Sequence, residues 1–74
     1  MKQTATKKYV ICVKNEGYEV SLECRKIYRV KPNKSAAEEG LIRVIDESGQ
    51  SYLYPENFFI AVRLPGTIVR ALAA

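Results

Sequence analysis

A chain of 74 residues has room for one domain and one small core, burying only about 60% of its unfolded surface, which argues against a deep catalytic cleft. The hydrophobic fraction of 47% excludes a disordered chain, and no apolar run approaches the roughly 18 residues that a membrane span needs, so no membrane partner is expected. The net charge of +4 owes three of its charges to Lys2, Lys7 and Lys8; from Tyr9 onward nine Lys/Arg face eight Asp/Glu, which is unlike a body built around a polyanion.

Residues 1–7 are polar and aperiodic and read as a frayed tail. The lysines before the apolar run 9–13 imitate a signal peptide, but that run is shorter than the about 7–15 residues such a segment uses, so a cytoplasmic protein is expected. Tyr9, Ile11 and Val13 alternate with Lys8, Val10 and Cys12, which predicts a first strand, and Asn15-Glu16-Gly17 ends it with turn chemistry. A long polar excursion follows, in which Val20 and Leu22 alternate with Ser21 and Glu23. Residues 25–31 form the second strand, with Tyr28 and Val30 on one face and Arg29 and Lys31 on the other, and Pro32 stops it because proline cannot donate to a ladder. A single helical turn fits in 32–40, with Ser35-Ala-Ala-Glu38 at capping-box spacing and Gly40 as a left-handed cap. Residues 41–46 and 50–54 are strands joined by a hairpin turn at Glu47-Ser48-Gly49. A two- or four-residue turn there puts Val44 and Leu53 on one face and Arg43, Ile45, Tyr52 and Tyr54 on the other. Pro55-Glu-Asn-Phe58 is a tight corner, and 59–62 is the last strand. Residues 63–74 open with Leu-Pro-Gly and end in an apolar stretch, Ile68-Val69-Arg70-Ala71-Leu72, that must cover its own domain, pair with a second copy as a homodimer, or fray.

Several chemistries are absent. With no histidine there is no Ser–His–Asp triad, no Cys–His dyad and no imidazole zinc site. Cys12 and Cys24 are too few for a secreted disulfide framework and read as reduced, mostly buried thiols, although a bridge between them requires only that the intervening loop fold back. The pairs Glu38/Glu39 and Asp46/Glu47 read as solvated carboxylates on a helical turn and a hairpin turn, without the facing geometry of general acid–base catalysis. No phosphate-binding glycine loop or nucleophile motif is present, and neither a cofactor nor a metal is expected.

Five short strands with a long first loop, a tight hairpin and a one-turn corner resemble an SH3-like small β-barrel across residues 9–62. Val20-Ser-Leu22-Glu-Cys-Arg-Lys-Ile-Tyr28-Arg-Val30 looks like the family's apolar-Ser-apolar run with its turn and second strand. Pro55-Glu56-Asn57-Phe58-Phe59 looks like its Pro-Ser-Asn-Tyr-Val corner. The resemblance implies an all-β, five-stranded barrel over residues 8–62, with Val20, Leu22, Tyr28, Val30, Val44, Leu53 and Phe59 in the core. Arg25 and Lys26 stand where the family has a glycine-containing turn. Leu41 and Ile42 stand where its peptide-binding members carry tryptophan, which this chain lacks. The chain also resembles small bacterial proteins of this type, and that likeness carries no activity with it.

Two surfaces compete. Tyr18, Leu41, Tyr54, Pro55 and Phe58, rimmed by Glu16 and Glu19, have the chemistry of a groove for an extended basic or proline-containing peptide: rings give contact area at low entropy cost, and carboxylates orient a cation. Arg25, Arg29, Lys31 and Arg43, interleaved with Tyr52, have the chemistry of a nucleic-acid face, where cations hold phosphates and rings stack on bases. The expectation is a non-enzymatic module that binds a protein or peptide, with nucleic-acid binding as the alternative.

Overall fold

The computed structural model describes residues 9–73, so the expected tail over residues 1–7 lies outside the described residues. Five strands, β1 (Tyr9–Cys12), β2 (Ile27–Val30), β3 (Leu41–Ile45), β4 (Ser51–Pro55) and β5 (Phe59–Val62), form one antiparallel sheet in the order β4-β3-β2-β1-β5. The sheet is open, with β4 and β5 as its edges. Helical structure is confined to short pieces: α1 (Lys34–Glu38), a 3-10 turn at Glu56–Phe58, and α2 (Gly66–Ala73). The all-β class and the one-turn helix in the 32–40 connection are as expected. Among the described residues no helix is long and apolar enough to cross a membrane.

Local chemistry explains most of the boundaries. Tyr18 N–H closes a turn on Asn15 O at 2.8 Å, with Gly17 at φ 85°, the left-handed conformation that a side chain would strain. The cap of α1 differs from expectation: Asn33, two residues before Ser35, accepts from Ala36 N–H at 3.0 Å through Oδ1. Gly40, at φ 74°, ends the helix as expected, and its N–H donates to Ala37 O at 3.2 Å. In residues 63–74, Pro65 O accepts from Ile68 and Val69 N–H, both at 3.0 Å, and starts α2. Ile68 is exposed on that helix.

The core is Val10, Cys12, Leu22, Tyr28, Ile42, Val44, Tyr54, Phe58 and Phe59, with Val30 packed against it. Leu22, Tyr28, Val44 and Phe59 are buried as expected. Val20 and Leu53 are not, at 97% and 39% exposed. Val20 fails because residues 19–21 form a turn, with Ser21 and Leu22 N–H donating to Tyr18 O at 3.0 and 2.9 Å, and a turn has no two-residue alternation.

Leu53 fails because of register. Ile42 faces Tyr54, Arg43 faces Leu53 and Val44 faces Tyr52, so even-numbered residues of β3 and β4 share the core side and odd-numbered ones the other. Directly opposed residues share a face, and a hairpin loop with an odd number of residues reverses the parity that an even one imposes. Here the loop is Glu47-Ser48-Gly49: Asp46 N–H donates to Gln50 O at 3.0 Å and Gly49 N–H donates back to Asp46 O at 3.0 Å, with Gly49 at φ 85°. Arg43 and Ile45 therefore lie on the face opposite Tyr52 and Tyr54, correcting the grouping expected from an even turn.

Candidate functional site

Tyr18 is held by local bonds at the start of the 19–21 turn, so its ring projects over the corner made by β4 and the 3-10 turn. It meets Tyr54 edge-on at 5.0 Å between centroids and Phe58 at 5.9 Å, and Tyr54 in turn meets Phe59 at 6.3 Å. Tyr54 and Phe58 are buried at 4% and 9% exposure, whereas Tyr18 is 41% exposed. Two core rings thus form a rigid seat for one surface ring. Beside it lies an open concavity of about 340 Å³ lined by Tyr18, Ser21, Asp46, Tyr52, Leu53 and Tyr54.

The floor of this concavity is a polar network that sequence reasoning missed. Asp46, expected to be solvated, is only 6% exposed. Its Oδ2 accepts from the Tyr54 hydroxyl at 2.5 Å, and its Oδ1 accepts from Ser48 N–H at 2.9 Å and Ser48 Oγ at 2.5 Å. Burial opposes ionisation of Asp46, but the hydrogen bonds from Ser48 and Tyr54 outweigh it and hold the carboxyl below its usual value. Burial, and then the bond to Asp46, push the Tyr54 hydroxyl up. The same hydroxyl lies 3.0 Å from Ser21 Oγ, which ties the long loop to β4.

A second tyrosine repeats the arrangement. Tyr28 Oη donates to Glu47 Oε2 at 2.6 Å and accepts from Glu23 N–H at 2.7 Å. Lys26 Nζ sits 2.7 Å from Glu47 Oε2 and 6.0 Å from the Tyr28 ring centroid. Hydrogen bonds from Lys26 and Tyr28 hold the Glu47 carboxyl below its ordinary value, while burial and then the Glu47 contact raise the Tyr28 hydroxyl. Glu47 N–H also donates to Ser21 O at 3.0 Å, and Asn15 Nδ2 donates to Leu22 O at 3.0 Å. The loop spanning residues 13–26 is therefore docked on the β3–β4 hairpin at several points, and the surface around Tyr18 is preformed. A sequence signal for the buried carboxylate does exist: Asp at the first and Gly at the fourth position of Asp46-Glu-Ser-Gly49 is the pattern of a turn whose first side chain caps it.

Of the expected peptide-binding residues, Tyr18, Tyr54 and Phe58 converge, and Glu16 and Glu19 are exposed on the Tyr18 loop. Leu41 and Pro55 face each other across β3–β4 on the side opposite Tyr54. There Leu41 and Leu53 help line a separate dent of about 280 Å³ against α1. Of the expected nucleic-acid residues, Arg25, Arg29 and Lys31 are exposed, and Arg43 is half-buried with Nη1 3.4 Å from Ser51 Oγ. Arg29 pairs with Ile45, so it shares the outer face with Arg43. Tyr52, opposite Val44, lies on the core side, so the expected interleaving of Arg43 with tyrosine does not occur.

Among the described residues no three His, Cys, Asp or Glu side chains converge to hold a metal. Comparisons with family models, curated proteins and solved structures find no match.

Proposed function

We propose that this chain is a non-enzymatic interaction module on an SH3-like small barrel. It takes an extended peptide with a proline or basic residue into the concavity beside Tyr18. The observation that carries this reading is the half-exposed Tyr18 ring, braced edge-on by buried Tyr54 and Phe58 at the mouth of the concavity. A surface aromatic that cannot collapse onto its own surroundings offers apolar area without an ordering cost on binding. Tyr52 extends that apolar surface, and Glu16 and Glu19 supply negative charge from the same loop. Long first loop, single-turn corner and β5 beside β1 support the small-barrel reading of the open sheet.

The test is fluorescence polarisation against an array of labelled extended peptides that vary in proline and in Lys/Arg content. Binding should survive high salt and weaken at least about tenfold, roughly 1.4 kcal/mol, on Tyr18→Ala. If no peptide binds, while labelled single-stranded nucleic acid binds with a steep salt dependence that Arg29→Ala and Arg43→Ala abolish, the reading is overturned in favour of a basic outer face.

A further inference from the structure

Cys12 and Cys24 are both free thiols with opposite environments: Cys12 is fully buried at the end of β1, and Cys24 is on the surface. The backbone brings them together. Arg25 N–H donates to Cys12 O at 2.7 Å, and Cys12 N–H donates to Lys26 O at 2.9 Å, so two residues of the returning chain oppose one residue of β1. Arg25 occupies the extra position at φ 69°. Residues opposed in an antiparallel pair have Cα atoms about 4.5–5.5 Å apart, inside the roughly 4.4–6.8 Å that a disulfide spans, and Cys24 is one peptide beyond that pair. The Cys12 thiol, which donates to Lys14 O at 3.1 Å, is near enough to Cys24 for that residue to help raise it, after burial.

We propose that Cys12 and Cys24 form a reversible intramolecular disulfide, making the base of the long loop a site of oxidative modification. The inference stands whether or not the concavity binds a peptide. The oxidant is a small disulfide such as oxidised glutathione. The exposed Cys24 thiolate attacks one glutathione sulfur, forming a mixed disulfide and releasing one glutathione thiolate, which takes up a proton. Cys12, after losing its proton to solvent, attacks the Cys24 sulfur. The Cys12–Cys24 bond forms and the second glutathione leaves. Two protein thiols are oxidised as one glutathione disulfide is reduced to two thiols. Burial, and then contact with Cys24, hold the Cys12 thiol above its ordinary value, so the second step accelerates as pH rises. The bridge fastens both ends of the segment that carries Glu16, Tyr18 and Glu19, leaving the core side of β1 in place.

The experiment equilibrates the full chain with oxidised and reduced glutathione, quenches with acid, blocks free thiols with maleimide and measures intact mass. The expected product is a monomer about 2 Da lighter than the reduced chain, unlabelled by maleimide and returned to two labelled thiols by excess reductant. Cys24→Ser, a substitution at an exposed position, should abolish that species. Stable accumulation of a Cys24–glutathione adduct with Cys12 still reduced overturns the proposal. So does a dimer linked through Cys24, or two thiols that stay reduced at the most oxidising ratio.

Discussion

Arg25→Gly should stabilise this protein, although it removes a side chain and adds the most flexible residue. Arg25 is the one described non-glycine residue with positive φ, at 69°, and it occupies the extra position of the bulge opposite Cys12. That position ordinarily calls for glycine, because a Cβ in the left-handed region crowds the carbonyl oxygen that follows. The strain costs about 1–2 kcal/mol, and the added freedom that glycine gives the unfolded chain returns about 0.4–1 kcal/mol of it, leaving a net gain of about 0.5–1 kcal/mol. For a domain of this size that raises Tm by about 2–8 °C. Paired thermal and urea melts of the wild type, Arg25→Gly and Arg25→Ala measure it. Alanine removes the exposed side chain and its charge but keeps the Cβ, so Arg25→Ala should stay within about 0.5 kcal/mol of the wild type. A glycine variant no more stable than the wild type, or an alanine variant that matches glycine, would refute the backbone argument and point to the charge instead.

Tyr54→Phe deletes the hydroxyl that donates to buried Asp46 while keeping the ring contacts with Tyr18 and Phe59. The expected loss is about 1–3 kcal/mol by urea denaturation, whereas Tyr52→Phe, whose hydroxyl reaches only exposed Gln50, should be near neutral. Leu22→Ala, at a fully buried site, should cost about 2–5 kcal/mol, and Val20→Ala, two residues away at 97% exposure, less than about 0.5 kcal/mol; equal costs would mean that the 19–21 turn is wrong. Stability should hold from neutral pH down to about pH 4 and then fall, because the folded values of Asp46 and Glu47 lie below their ordinary ones and their contribution is lost as protons bind them. At the alkaline end the raised Tyr28 and Tyr54 hydroxyls favour the neutral form, so their contribution is intact below about pH 10 and is lost as pH climbs through the folded values; melts of Glu47→Gln across pH should flatten the acid limb.

Much of the fold is legible from short-range chemistry. Pro32, Gly40, Gly49 and the Pro55 corner act through φ and the missing N–H of proline, which neighbours hardly modify, so strand positions and the all-β class can be read along the chain. Alternation then groups the residues of each strand by face. It does not say which group of β4 joins which group of β3, because that depends on whether the hairpin holds an odd or an even number of residues. One residue in the loop decided it: Glu47-Ser48-Gly49 turned Tyr54 inward over Asp46 and Leu53 outward, exchanging a core leucine for a hydrogen-bonded tyrosine. The same limit explains Asp46 and Glu47. Their distant partners, Tyr54 for Asp46 and Tyr28, Lys26 and Ser21 for Glu47, are 8 to 26 positions away in the chain, so the turn pattern that marks Asp46 as a local cap does not reveal its burial or the bonds of Glu47. Sequence by itself put aromatic residues in the long loop and around the Pro55 corner, and the resemblance to a small barrel implied that these segments approach each other. Tertiary structure decided which ring stays on the surface: Tyr54 and Phe58 pack into the core of a small sheet that needs their volume, and Tyr18, carried on a loop outside that core, is left half-exposed against them.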